Sequence, residues 1–298
     1  MKRLKKIDLH VHATKTRGLP RENGENMPIP SELMEMYRVL GIEKGVLLPE
    51  INVECAYDTA TNREVHEIAS EYPETFSWFC NIDPRQGSNS PQTDFSHFLR
   101  YYKGLGAKGV GEISANVYFD DPRLLNLFAH CEAFDMPVLF HIGNLGGDYG
   151  IVDDFGLKRL EKVLRMFPRL TVIGHSQKFW SAISGDVTPE QWNGYPKGKI
   201  APGGRVVELM ENYPNLHCDL SAGSGYNAIT RDVEFSYRFL ETFQDRIFFG
   251  TDICSPTNIH APMVRLAAFL DAAMETHNIS YAAYEKISRG NALKLLNR

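Results

Sequence analysis

Five strand-like runs in this chain end on side chains that bind metal ions well. The first is Lys6-Ile7-Asp8-Leu9-His10-Val11-His12. Residues i and i+2 of a strand point to the same side, so His10 and His12 leave one strand end together. That arrangement suits two ligands of one ion. Glu112 ends Gly109-Val110-Gly111-Glu112, His141 ends Val138-Leu139-Phe140-His141, and His175 ends Val172-Ile173-Gly174-His175. Asp252 ends Ile247-Phe248-Phe249-Gly250-Thr251-Asp252. Taken singly, each has an ordinary structural explanation. A histidine can bond inside a core, Glu112 can pair with an arginine, and Asp252 can cap a turn. Five such residues at the same end of five apolar runs point instead to a metal site.

The elements that must position these residues can be read from the apolar periodicity. Eight strand-like runs occupy 6–12, 44–50, 76–83, 108–114, 137–143, 170–176, 215–221 and 246–252. Amphipathic helical patterns lie between most of them. One runs from Ser31 to Leu40, with Ser31 as its expected cap and Gly41 as its stop. Another opens with Asp121 as cap and Pro122 in the first turn. Others cover 157–164, the segments after Thr59 and Asp232, 263–274 and 281–296. Strands alternating with helices predict an α/β fold, a parallel (β/α)8 TIM-type barrel with its site at the C-terminal ends of the strands. An open doubly wound sheet is the alternative. It accounts less well for five convergent ligands, and no G-x-G-x-x-G turn follows the first run. No linker or composition break is visible, so residues 1–298 are read as one domain. Two connections, 13–30 and 177–204, are long, and the second carries Phe179, Trp180, Trp192 and Tyr195. These aromatics either pack the loop down or form a lid over a pocket.

Composition bounds the partners. The 298 residues are 43% hydrophobic with a net charge of -5. That balance offers no general attraction to nucleic acid or to anionic membrane. Met1 is followed by charge, so no signal peptide is expected, and no apolar run is long enough to span a bilayer. Five scattered cysteines without C-x-x-C spacing fit a reduced, cytoplasmic protein. Cys80 and Cys218 read as core residues, and Cys254 as filler near the site. His66, His97, His130, His217, His260 and His277 read as structural or surface residues.

The phrases around the strand ends carry a resemblance. Pro137-Val138-Leu139-Phe140-His141-Ile142-Gly143, Gly174-His175-Ser176, Phe249-Gly250-Thr251-Asp252 and Gly290-Asn291-Ala292 resemble the amidohydrolase superfamily, in its amidohydrolase-2 branch. That branch contains aminocarboxymuconate-semialdehyde decarboxylase, other nonoxidative decarboxylases, and hydrolases of lactones and similar bonds. The resemblance covers essentially the whole chain. It implies that His10, His12, His141 and Asp252 ligate one divalent metal, zinc first, with manganese or iron as alternatives. It implies that His175 is either a second-metal ligand or a group stabilising an oxyanion. Glu112 stands where many binuclear relatives carry a carboxylated lysine. Gly111-Glu112 resembles instead the TatD-like hydrolases, whose glutamate bridges two metals.

Three imidazoles and a carboxylate can hold Zn²⁺, Mn²⁺ or Fe²⁺ with a position left open. A metal lowers the pKa of bound water to roughly 7. Asp252 could accept the water proton and return it to a leaving group. His175 could polarise the substrate oxygen. The expected activity is hydrolysis of an ester, lactone or amide in a small carboxylate-bearing substrate. Nonoxidative decarboxylation is the alternative, and a non-catalytic binding barrel the third reading. Arg231, Lys178 and Arg85 lie just beyond strand ends and are the expected carboxylate clamp. The expected partner is a small molecule, with neither nucleic acid nor membrane, and a homodimer stays open beside a monomer.

Overall fold

Strand β1 (Lys6–Val11) pairs in parallel with β2 (Ile42–Leu47), and β2 with β3 (Phe76–Trp78). A second parallel sheet contains β4 (Val110–Ile113), β5 (Val138–Phe140), β6 (Val172–Gly174), β7 (Leu216–Asp219) and β8 (Ile247–Phe248) in that order. These elements belong to a computed structural model that describes residues 2–55 and 59–297. Backbone hydrogen bonds close both seams. Between β3 and β4, Cys80 donates to the Gly109 carbonyl and accepts from Gly111 N–H. Between β8 and β1, Leu9 donates to Phe249, Asp252 to His10, and His12 to Ile253. The ring is the TIM-type barrel that the alternation of strands and helices predicts.

Two apolar layers explain why the ring holds. Ile7, Leu9, Val46, Leu48, Phe79, Leu139, Ile173 and Phe248 form one buried cluster with Ala292, Leu295 and Leu296. These residues come from β1, β2, β5, β6, β8 and the residues just past β2 and β3, so they fill the barrel. The C-terminal helix Asn291–Leu296 plugs its lower end. The larger cluster lies between the strands and the surrounding helices. Both layers leave the upper, C-terminal end of the barrel to polar side chains.

The helices follow their sequence signals with one correction. Pro30 is the first residue of the helix Pro30–Leu40, so Ser31 lies inside the first turn and Ile29 is the cap position. The half-buried Ile29 N–H donates to the Glu32 carboxylate at 3.1 Å, while no described side chain accepts from the first-turn N–H groups, the role expected of Ser31. Gly41 ends this helix at φ 71°, a left-handed conformation that costs glycine little. Asp121 caps Pro122–Ala133 by accepting from Arg123 N–H, as expected. The segment 281–296 is interrupted, with a π-turn at Lys286–Gly290 between two short helices. No described helix is long and apolar enough to cross a membrane.

In the long connection after β6, Phe179, Trp180 and Trp192 are buried. The Trp180 indole donates to the Asp219 carbonyl at 3.0 Å, and that of Trp192 to the Lys178 carbonyl at 2.7 Å. These rings pack the loop onto the barrel. Tyr195 is the aromatic left exposed.

Candidate metal centre

All six expected ligand residues meet at the C-terminal end of the barrel. His10 lies in β1, Glu112 in β4, and His12, His141 and His175 each one residue past their strands. Asp252 is carried in by the turn after β8, anchored by its N–H to the His10 carbonyl at 2.7 Å. Three overlapping groups could hold a cation: His10, His12 and Glu112; His10, His175 and Asp252; Glu112, His141 and His175.

The hydrogen bonds define which imidazole nitrogens face inward. His10 Nδ1 lies 2.8 Å from Asp219 Oδ2, and His175 Nδ1 lies 2.9 Å from Asp219 Oδ1. Burial opposes ionisation of Asp219, but His175 and His10 outweigh it and hold the carboxyl well below the usual range. An ionised carboxylate only accepts, so both Nδ1 atoms carry hydrogen. His12 Nδ1 donates to the Leu48 carbonyl at 3.0 Å. In a neutral imidazole the other nitrogen is then a lone pair. The Nε2 atoms of His10 and His12 stand 3.1 Å apart. Two lone pairs at that separation repel unless a metal ion or a proton lies between them. Asp252 Oδ1 is 3.5 and 3.4 Å from the same two atoms. This donor set fits a divalent ion.

Glu112 faces two ways. Its Oε2 lies 3.5 Å from His10 Nε2 and 3.7 Å from His12 Nε2. Its Oε1 lies 3.0 Å from His141 Nδ1 and 3.5 Å from His175 Nε2. Burial raises the pKa of this carboxyl, yet the surrounding histidines, His10 first, hold it well below the usual carboxylate value. His10 shows the reciprocal balance: burial disfavours its charged form, and Asp252, Glu112 and Asp219 raise its pKa well above normal. The same negative potential attracts a metal cation.

Several participants were not among the expected residues. Asp219 clamps two imidazoles at once, and Ser221 Oγ donates to Asp219 Oδ1 at 2.7 Å. Glu50 Oε1 approaches His12 Nδ1 at 3.4 Å. Both acids end strand-like runs, the signal that singled out Glu112 and Asp252. The Tyr149 phenol donates to Glu112 Oε2 at 2.7 Å, and its position inside Gly146-Gly147-Asp148-Tyr149-Gly150 gave no periodic signal. Asp219→Asn would offer one of the imidazoles a donor where it needs an acceptor. The expected result is metal affinity weaker by about 10–100-fold, read by competition with a chelator. Unchanged affinity would show that the clamp does not orient the ligands.

The expected carboxylate clamp does not join this cluster. Arg85 is engaged by Asp83 Oδ1 and Oδ2 at 2.8 and 2.6 Å and by Glu54 through two bonds of 2.8 Å. Lys178 is buried, donates to the Gly143 carbonyl at 2.8 Å and lies over the Trp192 ring at 4.6 Å. Arg231 follows the helix Ala222–Thr230. Ten residues of helical rise put its backbone about 15 Å from Ser221. Its Nε and Nη2 have no hydrogen-bond partner among the described residues. Arg21, from the loop after β1, does reach the mouth, where its Nη1 donates to the Cys254 carbonyl at 2.9 Å. The Cys254 thiol is pushed up to about 12 by burial, so it stays protonated and unreactive.

Comparison with solved structures places the same fold in other proteins. An uncharacterised TIM-barrel protein from Bordetella bronchiseptica is similar at 21% identity and a TM-score of 0.67, covering 99% of this chain and 100% of its own. A dihydroxybenzoic acid decarboxylase from Polaromonas sp. JS666, with bound manganese and the inhibitor 2-nitroresorcinol, is similar at 18% identity and a TM-score of 0.57, covering 99% and 98%. A probable 2-pyrone-4,6-dicarboxylic acid hydrolase from Acinetobacter baumannii, with citric acid bound, is similar at 12% identity and a TM-score of 0.57, covering 99% and 100%. No curated protein matches the chain. The amidohydrolase family profile matches residues 7–298. A match that begins in the first barrel strand and runs to the end of the chain makes this protein a member of the amidohydrolase family, whose enzymes depend on metal.

Proposed function

We propose that this protein is a metal-dependent hydrolase that uses water to cleave an ester, lactone or amide bond in a small polar substrate. His10, His12 and Asp252, beside Glu112 Oε2, would hold one ion, with zinc or manganese the best match to imidazoles and carboxylates. Glu112 Oε1, His141 and His175 would hold a second. When bound, the metal acidifies water and polarises a substrate oxygen. The observation that carries the reading is Asp252. Its side chain is 24% exposed, whereas the carboxylates of Glu112 and Asp219 are 3% and 0% exposed. It is therefore the cluster's carboxylate most open to the pocket, placed to take a proton from attacking water and return it to the departing group. His175 Nε2, 3.8 Å from Asp252 Oδ2, would be the second proton-holding group when no second ion occupies that lone pair. Arg21 at the mouth supports a carboxylate on the substrate, because a guanidinium matches that anion with paired donors.

Glu112 also favours hydrolysis over decarboxylation. The protein's own carboxylate already lies between the two imidazole pairs, which leaves less room for a substrate carboxylate to chelate there. Decarboxylation stays the second reading, since Asp252 or His175 could equally protonate a ring carbon. The test is a panel of esters, lactones, amides and hydroxybenzoates, each with and without a carboxylate, offered to the zinc- and manganese-loaded protein. Acid release abolished by a chelator is the expected result. Carbon dioxide release without acid release would replace this reading by the decarboxylase. Metal binding without any turnover would leave a binding barrel.

A further inference from the structure

The Tyr149 phenol stands at the edge of the ligand cluster. Its oxygen is 2.7 Å from Glu112 Oε2, the same atom that faces His10 and His12 Nε2 at 3.5 and 3.7 Å. The phenol is thus one carboxylate oxygen away from the convergent lone pairs. Its ring packs edge-on against His141, with centroids 4.8 Å apart. Beyond that pair opens a pocket of about 210 Å³, lined by His141, Tyr149, Asp148, Gln177, Asn193 and Tyr195 among others. A molecule in this pocket touches both the phenol and the edge of the ligand cluster.

The loop that carries Tyr149 is built to hold it. Asp148 Oδ2 accepts from Asn144 N–H at 2.9 Å, and Asn116 Nδ2 donates to the Asn144 and Gly150 carbonyls at 2.7 and 2.9 Å. Gly150 donates to the Ser114 carbonyl and Ile151 to that of His141, both at 2.8 Å. Gly143 lies so close that a Cβ there would collide with the Tyr149 carbonyl. The hydroxyl donates to the Glu112 carboxylate, which only accepts, so the group carries its hydrogen and is a neutral donor. Rotation about its C–O bond redirects the hydrogen without moving the ring.

We infer that Tyr149 is a catalytic residue that donates its O–H to the substrate oxygen on which negative charge accumulates, and that the polar wall of the adjoining pocket receives the polar portion of the substrate beyond that oxygen. This rests on the hydrolytic reading. Water oxygen bonds to the carbonyl carbon, the π pair moves to the carbonyl oxygen, and the water proton passes to Asp252. Tyr149 keeps its proton and stabilises the oxyanion through the hydrogen bond. When the pair returns, the bond to the leaving oxygen or nitrogen breaks and that atom takes the proton from Asp252.

Tyr149→Phe keeps the ring against His141 and removes only the donor. On 4-nitrophenyl acetate, at saturating zinc, the expected change is a kcat lower by about 10²–10³-fold, with KM and zinc affinity within threefold of wild type. A wild-type kcat overturns the inference. So does a zinc affinity weakened by as much as kcat falls, because the hydroxyl would then only orient Glu112. A second readout does not depend on turnover. Calorimetric affinity of the zinc-loaded protein for acetohydroxamate, an oxyanion-bearing chelator, is expected to fall by about tenfold or more, the scale of a hydrogen bond to a charged group. Equal affinity in both proteins overturns the inference even if no ester is hydrolysed. A wild type without esterase activity, combined with the expected loss of hydroxamate affinity, sinks the hydrolase and keeps the donor.

Discussion

Asp252→Asn is expected to lower kcat by about 10²–10⁴-fold, the usual contribution of a general base, while metal occupancy is largely kept. The backbone makes this substitution informative. Asp252 has φ 58°, in the left-handed region that asparagine tolerates about as well as aspartate. Its N–H bond to His10 would survive. Asparagine keeps an oxygen toward His10 and His12 Nε2 but cannot accept the water proton. Burial opposes ionisation of Asp252, yet His10, His12 and His175 keep its pKa below the usual value, so the wild-type group is an anion ready to accept. Asp252→Ala should do more damage. It removes the ligand atom and places alanine in a left-handed conformation at a cost on the order of 1–2 kcal/mol. Metal should then be lost together with activity. Elemental analysis beside kcat separates the two variants. An asparagine variant that holds metal and turns over at the wild-type rate would move the proton shuttle elsewhere, with His175 the first choice.

Removing the metal is expected to abolish turnover and to loosen the fold. Without the metal, only a proton can bridge the Nε2 atoms of His10 and His12, 3.1 Å apart inside a buried ring whose carboxylates Glu112 and Asp252 then lack a divalent partner. A ligand at a hundred times its Kd stabilises the native state by about 2.7 kcal/mol. For a chain of 298 residues that corresponds to a Tm lower by roughly 4 °C in the chelated protein. Zinc or manganese should restore both Tm and activity. The same titration counts the ions. Glu112 turns one oxygen to His10 and His12 and the other to His141 and His175, so two equivalents are expected. Glu112→Gln, which puts an N–H2 group before one of these pairs, should reduce that to one. Wild-type saturation at a single equivalent, with activity intact in Glu112→Gln, would remove the second ion. A chelated protein with unchanged Tm and full turnover would remove the metal centre itself.

The barrel was legible because its signals are local. A strand announces itself within a few residues by an apolar run, a helix by its spacing and caps, and their alternation leaves few architectures. A ligand at the C-terminal end of a run is equally local, which is why His10, His12, Glu112, His141, His175 and Asp252 all stand out in the sequence. The Ser31 cap failed for a local reason too. Proline takes the first helical position, so the cap falls at Ile29, two residues before Ser31, and its N–H donates to Glu32.

What the linear order could not supply was the choice of partners. His10 and Asp219 are 209 positions apart, and only ring closure puts one carboxylate beside the imidazoles of both β1 and β6. Arg85, Lys178 and Arg231 each follow a strand, yet Asp83 and Glu54, the Gly143 carbonyl, and the length of a helix decide where their charges go. Tyr149 reaches Glu112 across 37 positions because a glycine-rich loop folds back over β5. Sequence by itself determined which side chains stand at the mouth of the barrel. Tertiary structure decided which of them touch, because hydrogen bonds and ion pairs depend on distances of a few ångströms between elements that the chain order leaves far apart.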